Sequence, residues 1–263
     1  MVRLGGTSSA SHLAAFQGIE AHFKKQGIDI DYVLYSDDYA VVDAFVAGEI
    51  DLAWNGPLNY VRIKRRLDDP CKVIAMRDVD FDFVTHFITQ PNSDIITVED
   101  LLEKRFALGS RGSVETGLLA QYFLKEAGIN PSNDLEACTF FEERPASGKS
   151  DQKDVIERVR SGEYDAGAVS ERTLKSLAEQ STTSKDSVRI FWSSPSYSHC
   201  CFTAQSNMEP ALYKQLEEAF GSVDGNDPTG KAILDAEACD SLLRGISEGW
   251  EIVEKAAVAE GLV

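Results

Sequence analysis

Short apolar runs alternate with stretches of helical periodicity along the first part of the chain. Val2-Arg3-Leu4 predicts a strand, Gly5-Gly6-Thr7-Ser8-Ser9 a polar loop, and residues 10–26 a helix that Gly27 stops at the position where glycine is favoured. Ile30–Tyr35 predicts a second strand and residues 39–47 a second helix, closed by Gly48. Residues 52–54 predict a short third strand, followed by the turn signal Asn55-Gly56-Pro57. Strands that alternate with helices in this way predict an α/β fold with mostly parallel strands.

The pattern occurs twice. Residues 42–51 read VDAFVAGEID and residues 156–165 read IERVRSGEYD, so Gly-Glu-x-Asp recurs after 114 residues. His86-Phe87-Ile88-Thr89 and Cys200-Cys201-Phe202-Thr203 are offset by the same 114 residues. The starts match at a shift of about 100: Leu4-Gly5-Gly6 and Leu108-Gly109-Ser110 each open a Ser/Thr/Gly loop before a helix, which ends at Gly27-Ile28 or Gly128-Ile129. The second copy therefore gains residues in its middle, and 143–153, rich in Ser, Gly and charge, is where the sequence places them. Two strand-like runs, 83–89 and 198–204, read as connectors, and helices are expected over 210–220 and from 245 to the end. The expected organisation is two α/β lobes joined by two crossover hinge strands. Lobe one takes residues 1–85 and 200–263, and lobe two 86–199.

Composition narrows the partners. The chain has 263 residues, enough for two modest domains, and 43% hydrophobic with 26% charged residues is an ordinary globular balance. A formal charge of −17 repels nucleic acid, and no apolar run is long enough for direct membrane insertion. Residues 1–5 show no signal-peptide pattern. The expectation is therefore cytoplasmic if Met1 is the native start, and periplasmic or cell-envelope if a signal peptide has been removed. The five cysteines are scattered and odd in number, which predicts buried thiols; the adjacent Cys200 and Cys201 lack metal-site spacing.

The two strand-to-helix loops carry the candidate chemistry. Gly5-Gly6-Thr7-Ser8-Ser9-Ala10-Ser11 and residues 109–117 each combine hydroxyls and small residues with a helix N-terminus, whose free N–H groups and dipole favour anions. Neither is a P-loop nor a GxGxxG turn, and their Ser and Thr residues also serve as ordinary N-caps. Such a site holds an anion on backbone dipoles and hydroxyls, without a basic surface. Thr7 and Ser8 are the first-loop candidates. Asn55 could donate to a ligand, and Asp165 could accept from a protonated ligand oxygen or an amine. Tyr35, Tyr39, Tyr60, Phe81, Trp192 and Tyr197 are candidate aromatic walls. His86 and His199 sit at near-equivalent places on the two connectors, where either could touch ligand. No HExxH or GxSxG spacing occurs, so no metal, catalytic residue or cofactor is expected.

Residues 39–58 (YAVVDAFVAGEIDLAWNGPL), 107–117 (ALGSRGSVETG) and 164–170 (YDAGAVS) resemble the phosphate/phosphite/phosphonate ABC-transporter substrate-binding proteins. The resemblance covers nearly the whole chain. It implies a type II periplasmic-binding fold that closes on a small anionic ligand (phosphonate, phosphate or phosphite) and, if exported, serves an ABC transporter permease. It implies ligand contacts from Ser110, Ser113, Glu115 and Thr116, from Asn55, from Tyr39 and from Asp165. Glu115 stands where the family often has a small or uncharged residue; a carboxylate there repels a dianion and accepts from a ligand hydroxyl or ammonium. The alternatives on the same scaffold are a cytoplasmic ligand sensor and a thiamine-pyrimidine-synthase-like enzyme, the latter faintly echoed by Cys200 and Cys201 beside His199.

Overall fold

A computed structural model describes residues 1–67, 71–179 and 187–263. In chain order the elements are β1 Val2–Thr7, α1 Ala10–Lys25, β2 Ile30–Tyr35, α2 Asp38–Val46, β3 Leu52–Asn55, α3 Pro57–Leu67, β4 Lys72–Arg77, β5 Thr85–Thr89, β6 Arg105–Ala107, α4 Leu119–Glu126 and β7 Ala137–Thr139. There follow α5 Asp151–Ser161, β8 Ala166–Ser170, α6 Glu171–Glu179, β9 Arg189–Ser193, β10 Cys201–Ala204, α7 Pro210–Gly221, α8 Pro228–Glu237, β11 Leu242–Arg244 and α9 Glu251–Ala259.

The chain divides into two compact units, Met1–Asp82 with Ser198–Glu254 and Phe83–Tyr197 with Lys255–Leu262. Two of the passages between units fall at 82/83 and 197/198, just before β5 and β10, and each of those strands then pairs wholly within one sheet. Residues 255–262 group with the second unit, whereas the sequence placed them in lobe one.

The first unit's sheet runs β11-β4-β10-β3-β1-β2 and the second unit's β7-β6-β8-β5-β9. Reversing the first shows the duplication: β2-β1-β3-β10-β4 corresponds strand for strand to β7-β6-β8-β5-β9. The directions agree too. In each unit three strands run parallel and the next two neighbours alternate antiparallel. The register of the antiparallel partner differs by one residue from the sequence repeat. Thr203 faces Ala53, while Ile88 rather than Thr89 faces the equivalent Gly167.

The Gly-Glu-x-Asp repeat has a physical purpose in this frame. Gly48 and Gly162 adopt left-handed backbone (φ 71° and 79°) that turns the chain out of the helix. The following aspartate then clasps the start of the neighbouring parallel strand. Asp51 N–H donates to Arg3 O and its carboxylate accepts from Arg3 N–H at 2.8 Å. Asp165 N–H donates to Arg105 O and its carboxylate accepts from Arg105 N–H, again at 2.8 Å.

Three expectations are corrected. Gly5 and Gly6 belong to β1, paired with Val33 and Leu34, not to a loop. A Cβ on Gly5 would lie 2.5 Å from Ile50 Cδ1 and one on Gly6 2.6 Å from Phe16 Cζ, so these glycines let the core close over the strand. No helix starts at 245. There the chain is pressed onto β4, where a Cβ on Gly245 would meet Val73 O at 2.5 Å, and α9 begins at Glu251. Helices α3 and α8, each opened by proline at its first position, were not anticipated. The first unit's core centres on Phe16, Phe23, Trp54, Phe202 and Phe220, and a core cluster of the second on Ile88, Ala107, Val155, Val159 and Val169.

Candidate functional site

In the second unit β6 delivers the chain into residues 108–113 at the carboxyl edge of its parallel strands, where ligands of open α/β sheets bind. Ser113 caps the following turn, Val114–Leu118, accepting from Thr116 N–H at 3.1 Å, and its Oγ lies 2.7 Å from Thr116 Oγ1. Thr116 is fully buried, so its hydroxyl supports Ser113 from beneath. Two glycines make that possible. A Cβ on Gly109 would sit 1.9 Å from Thr116 Oγ1, and one on Gly117 2.5 Å from Ser110 O. The N–H groups of Val114 and Glu115 lie at the N-terminal end of this turn.

The residues between β7 and α5 are wrapped around this loop. Phe141 N–H donates to Gly109 O, and the Arg144 guanidinium donates to Leu108 O at 2.8 Å. Glu142 accepts from Arg111 N–H at 3.0 Å and Asp151 from Ser110 N–H at 3.1 Å, so two backbone donors of the loop are already held by carboxylates. Arg144 and Arg158 both bind the buried Asp154, at 2.9 and 3.0 Å, and Arg158 also donates to Pro145 O. Burial raises the Asp154 carboxyl, and its hydrogen bonds to Ser147 and the two arginines outweigh that and hold it below the usual range. Glu115 accepts from Gln152 Nε2 at 3.2 Å, and Gln152 Oε1 accepts from the N–H and Oγ of Ser170. The buried Thr85 hydroxyl, 2.9 Å from the Tyr197 hydroxyl, donates to Glu115 O at 2.9 Å and ties down the turn. Ser110, Ser113, Glu115 and Thr116 are thus brought together. Gln152, Asp151 and Thr85 escaped the sequence reading because their role follows from strand neighbours, not from spacing.

The first unit places Thr7, Ser8, Tyr39 and Asn55 at the carboxyl edge of its own parallel strands. Ser9, not Ser8, caps α1, accepting from His12 N–H at 3.0 Å. His12 Nδ1 lies 2.7 Å from Thr7 O and 3.2 Å from Thr7 Oγ1, and Trp54 Nε1 donates to His12 Nε2. Asn55 is fully buried; its Nδ2 donates to Thr203 Oγ1 at 2.7 Å, and its Oδ1 has no hydrogen-bond partner. Tyr39, in the first turn of α2, is 60% exposed and covers the Arg62 guanidinium.

Two expected site residues are engaged elsewhere. Asp165 stands at the amino edge of β8, away from loop 110–116, and both its oxygens bind Arg105, at 2.8–3.0 Å. Burial raises its carboxyl and Arg105 overcomes that, keeping it ionised. His199 has its N–H on Asp80 O and its Nδ1 3.2 Å from Asp80 Oδ1 and 3.1 Å from Cys200 Sγ. Ligand atoms of Asp80, His199 and Cys200 lie within 4.8 Å of one another, but Asp80 already takes two bonds from Arg77, at 2.6 and 2.8 Å. Burial raises the Asp80 carboxyl, and Arg77 and His199 bring it down to about 2, so the cluster is an ion-pair knot. Of the aromatic candidates, Tyr60, which packs on Trp250, and Tyr197 are buried in the core, while the half-buried Trp192 packs on Phe87. A cavity of about 450 Å³ in the second unit, lined in part by Lys153, Ile156, Leu174 and Val188, includes none of the expected site residues.

Comparison with known proteins identifies the family. Residues 7–242 match the family described as ABC transporter, phosphonate, periplasmic substrate-binding protein. A probable ABC transporter phosphite binding protein, PhnD1 of Prochlorococcus marinus (strain MIT 9301), is 26% identical over 243 residues, covering 88% of this chain and 79% of the relative. The structure of P. marinus PhnD1 in complex with methylphosphonate superposes with a TM-score of 0.72 at 22% identity, covering 100% of this chain and 98% of that one. XAC2383 from Xanthomonas citri, bound to ATP, gives 0.73 at 17% identity over 98% and 97% of the two chains. The two solved structures establish the fold, that of type II periplasmic-binding proteins. The family model spans most of the sequence, and the chain belongs to the periplasmic substrate-binding proteins of phosphonate ABC transporters.

Proposed function

We propose that this chain captures a small phosphonate, or a related phosphorus oxyanion such as phosphite or phosphate, as the binding component of an ABC importer, and that loop 110–116 supplies the oxyanion contacts of the second unit. The observation that carries this reading is the Ser113-capped turn held rigid by Thr116 and by the segment that wraps it. An N–H and hydroxyl cradle set in advance binds an oxyanion at little ordering cost. The first unit offers Thr7, Ser8, Tyr39 and Asn55 as contacts in its own right. Glu115 selects among ligands: a carboxylate in the cradle disfavours a full dianion and favours a monoprotonated phosphonate, a phosphite monoanion or an aminoalkylphosphonate. Asp165 and His199 are left out of the contact set.

The proposed action is reversible capture without turnover, in the periplasm or cell envelope, with delivery to a membrane permease. Among the described residues no helix is long and apolar enough to cross a membrane. Calorimetric titration with phosphate, phosphite, methylphosphonate and aminoethylphosphonate tests the ligand class, and binding of at least one tighter than millimolar is expected. Weaker binding of all four rules the class out. Phosphorus NMR of a long incubation should show every ligand unchanged; a new resonance would mean an enzyme.

A further inference from the structure

Among the described residues four arginines are buried: Arg62, Arg77, Arg144 and Arg158. Three have carboxylate partners, Arg77 with Asp80 and Arg144 and Arg158 with Asp154. Arg62, 9% exposed, has no carboxylate within ion-pair distance among the described residues. Its guanidinium donates to the Tyr39 hydroxyl at 2.8 Å and, at 3.4 Å, to Asn59 Oδ1, and its buried Nε has no partner. A desolvated cation left without a counter-charge is costly, and in a chain of 43 acidic and 26 basic side chains carboxylates are not scarce. A missing partner at such a place calls for an anion from outside.

The contact with Tyr39 says where. Because Arg62 donates to the phenolic oxygen, that oxygen acts as acceptor toward Arg62, and the tyrosine's own proton points away from Arg62. Tyr39 is exposed, its ring lies over the guanidinium at 4.2 Å, and it belongs to the first turn of α2 at the carboxyl edge of the first unit's parallel strands. Arg62 and Asn59 lie on α3, which starts just after Asn55 at the same edge.

We propose that Arg62 is a positioning residue for anion capture: it turns the Tyr39 hydroxyl into an outward donor and supplies a buried positive charge that a phosphorus oxyanion at Tyr39 completes. This rests on the function proposed above, and deepens it by assigning the first unit's charge complement. It predicts opposite effects on stability and binding. Arg62→Met removes an uncompensated buried charge, so its unfolding midpoint equals or exceeds the wild type's, while methylphosphonate affinity falls roughly tenfold or more. Tyr39→Phe loses affinity similarly. Because Arg62 acts in part through Tyr39, its removal costs less affinity in the Tyr39→Phe background than in the wild type.

The experiment is this double-mutant cycle, with methylphosphonate affinity by calorimetry and the unfolding midpoint measured on each protein. Unchanged affinity in Arg62→Met at an intact midpoint overturns the proposal. So does an affinity loss that comes with a lowered midpoint and persists undiminished in the Tyr39→Phe background, since that marks an ordinary structural arginine. Should Arg62→Met fail to fold, Arg62→Lys, which keeps the charge and loses the planar fork, decides: weakened binding at an intact midpoint supports the assignment and unchanged binding overturns it. A wild-type protein that binds no phosphorus oxyanion removes the proposed function itself, and this inference with it.

Discussion

The link from the second parallel strand to the next helix is residues 36–37 in the first unit and 140–150 in the second. In the first, Asp37 caps α2 through Ala40 N–H, and Tyr39 is the second residue of that helix. In the second, the longer link folds over the carboxyl edge and holds loop 110–116 from outside, with Arg144 and Asp154 as its anchor. The amino edges are alike, each with the same aspartate clasp. A duplicated α/β unit thus keeps the amino edge that holds strands in register and varies the carboxyl edge. The second unit presents a braced hydroxyl loop, the first an exposed tyrosine over a buried cation.

Removing the brace should have the largest effect. Asp154→Ala leaves the buried Arg144 without a counter-charge and Arg158 with only the half-exposed Glu163, and is expected to cost about 3–5 kcal/mol of the second unit's stability. Asp37→Ala, at the equivalent link, should cost about 1 kcal/mol, a lost N-cap. Chemical denaturation of both variants checks the contrast, and equal costs would break it. The first unit's own buried carboxylate, Asp80, sets an acid limit. Its folded pKa is depressed to about 2 from 3.8, so the stability it contributes is fully present above the unfolded value and is lost as pH falls through about 2. That contribution is about 2 kcal/mol. An acid titration of unfolding should show it, and Asp80→Asn should flatten the curve between pH 4 and 2.

Ser9→Ala and Ser113→Ala remove matching N-caps and should each cost about 1 kcal/mol of stability. They should part company in binding, where only Ser113→Ala weakens phosphonate affinity appreciably. The smallest effects belong to the clasps. Asp165→Ala, which loses the Arg105 ion pair, should cost about 1 kcal/mol and Asp51→Ala about half that, with ligand affinity unchanged in both. An affinity loss in Asp165→Ala would restore that residue to the site.

The duplication was readable because Gly-Glu-x-Asp is a local device: a left-handed glycine and a short carboxylate at fixed spacing. For Asp165 the expectation was a ligand contact, whereas its carboxylate binds Arg105, and the sequence held a clue to that. The aspartate precedes its strand, and ligands of α/β sheets gather where parallel strands end. Loop 110–116 was legible for the converse reason, since its hydroxyls and glycines follow a strand and open a helix. Gly5 and Gly6 look like a loop in sequence because nothing local reveals that Ile50 and Phe16 will press on them. Arg62 was invisible. It lies in a helix that was not anticipated, and only tertiary packing distinguishes the arginine turned inward beneath Tyr39 from Arg65 and Arg66, which pair with Glu254 and Asp43.

If a phosphonate is held by the Ser113-capped turn, calorimetric titration of methylphosphonate will show saturable binding tighter than millimolar in wild type, weakened by about 1–3 kcal/mol in Ser113→Ala. Equal affinity in the two proteins would place the oxyanion away from that turn.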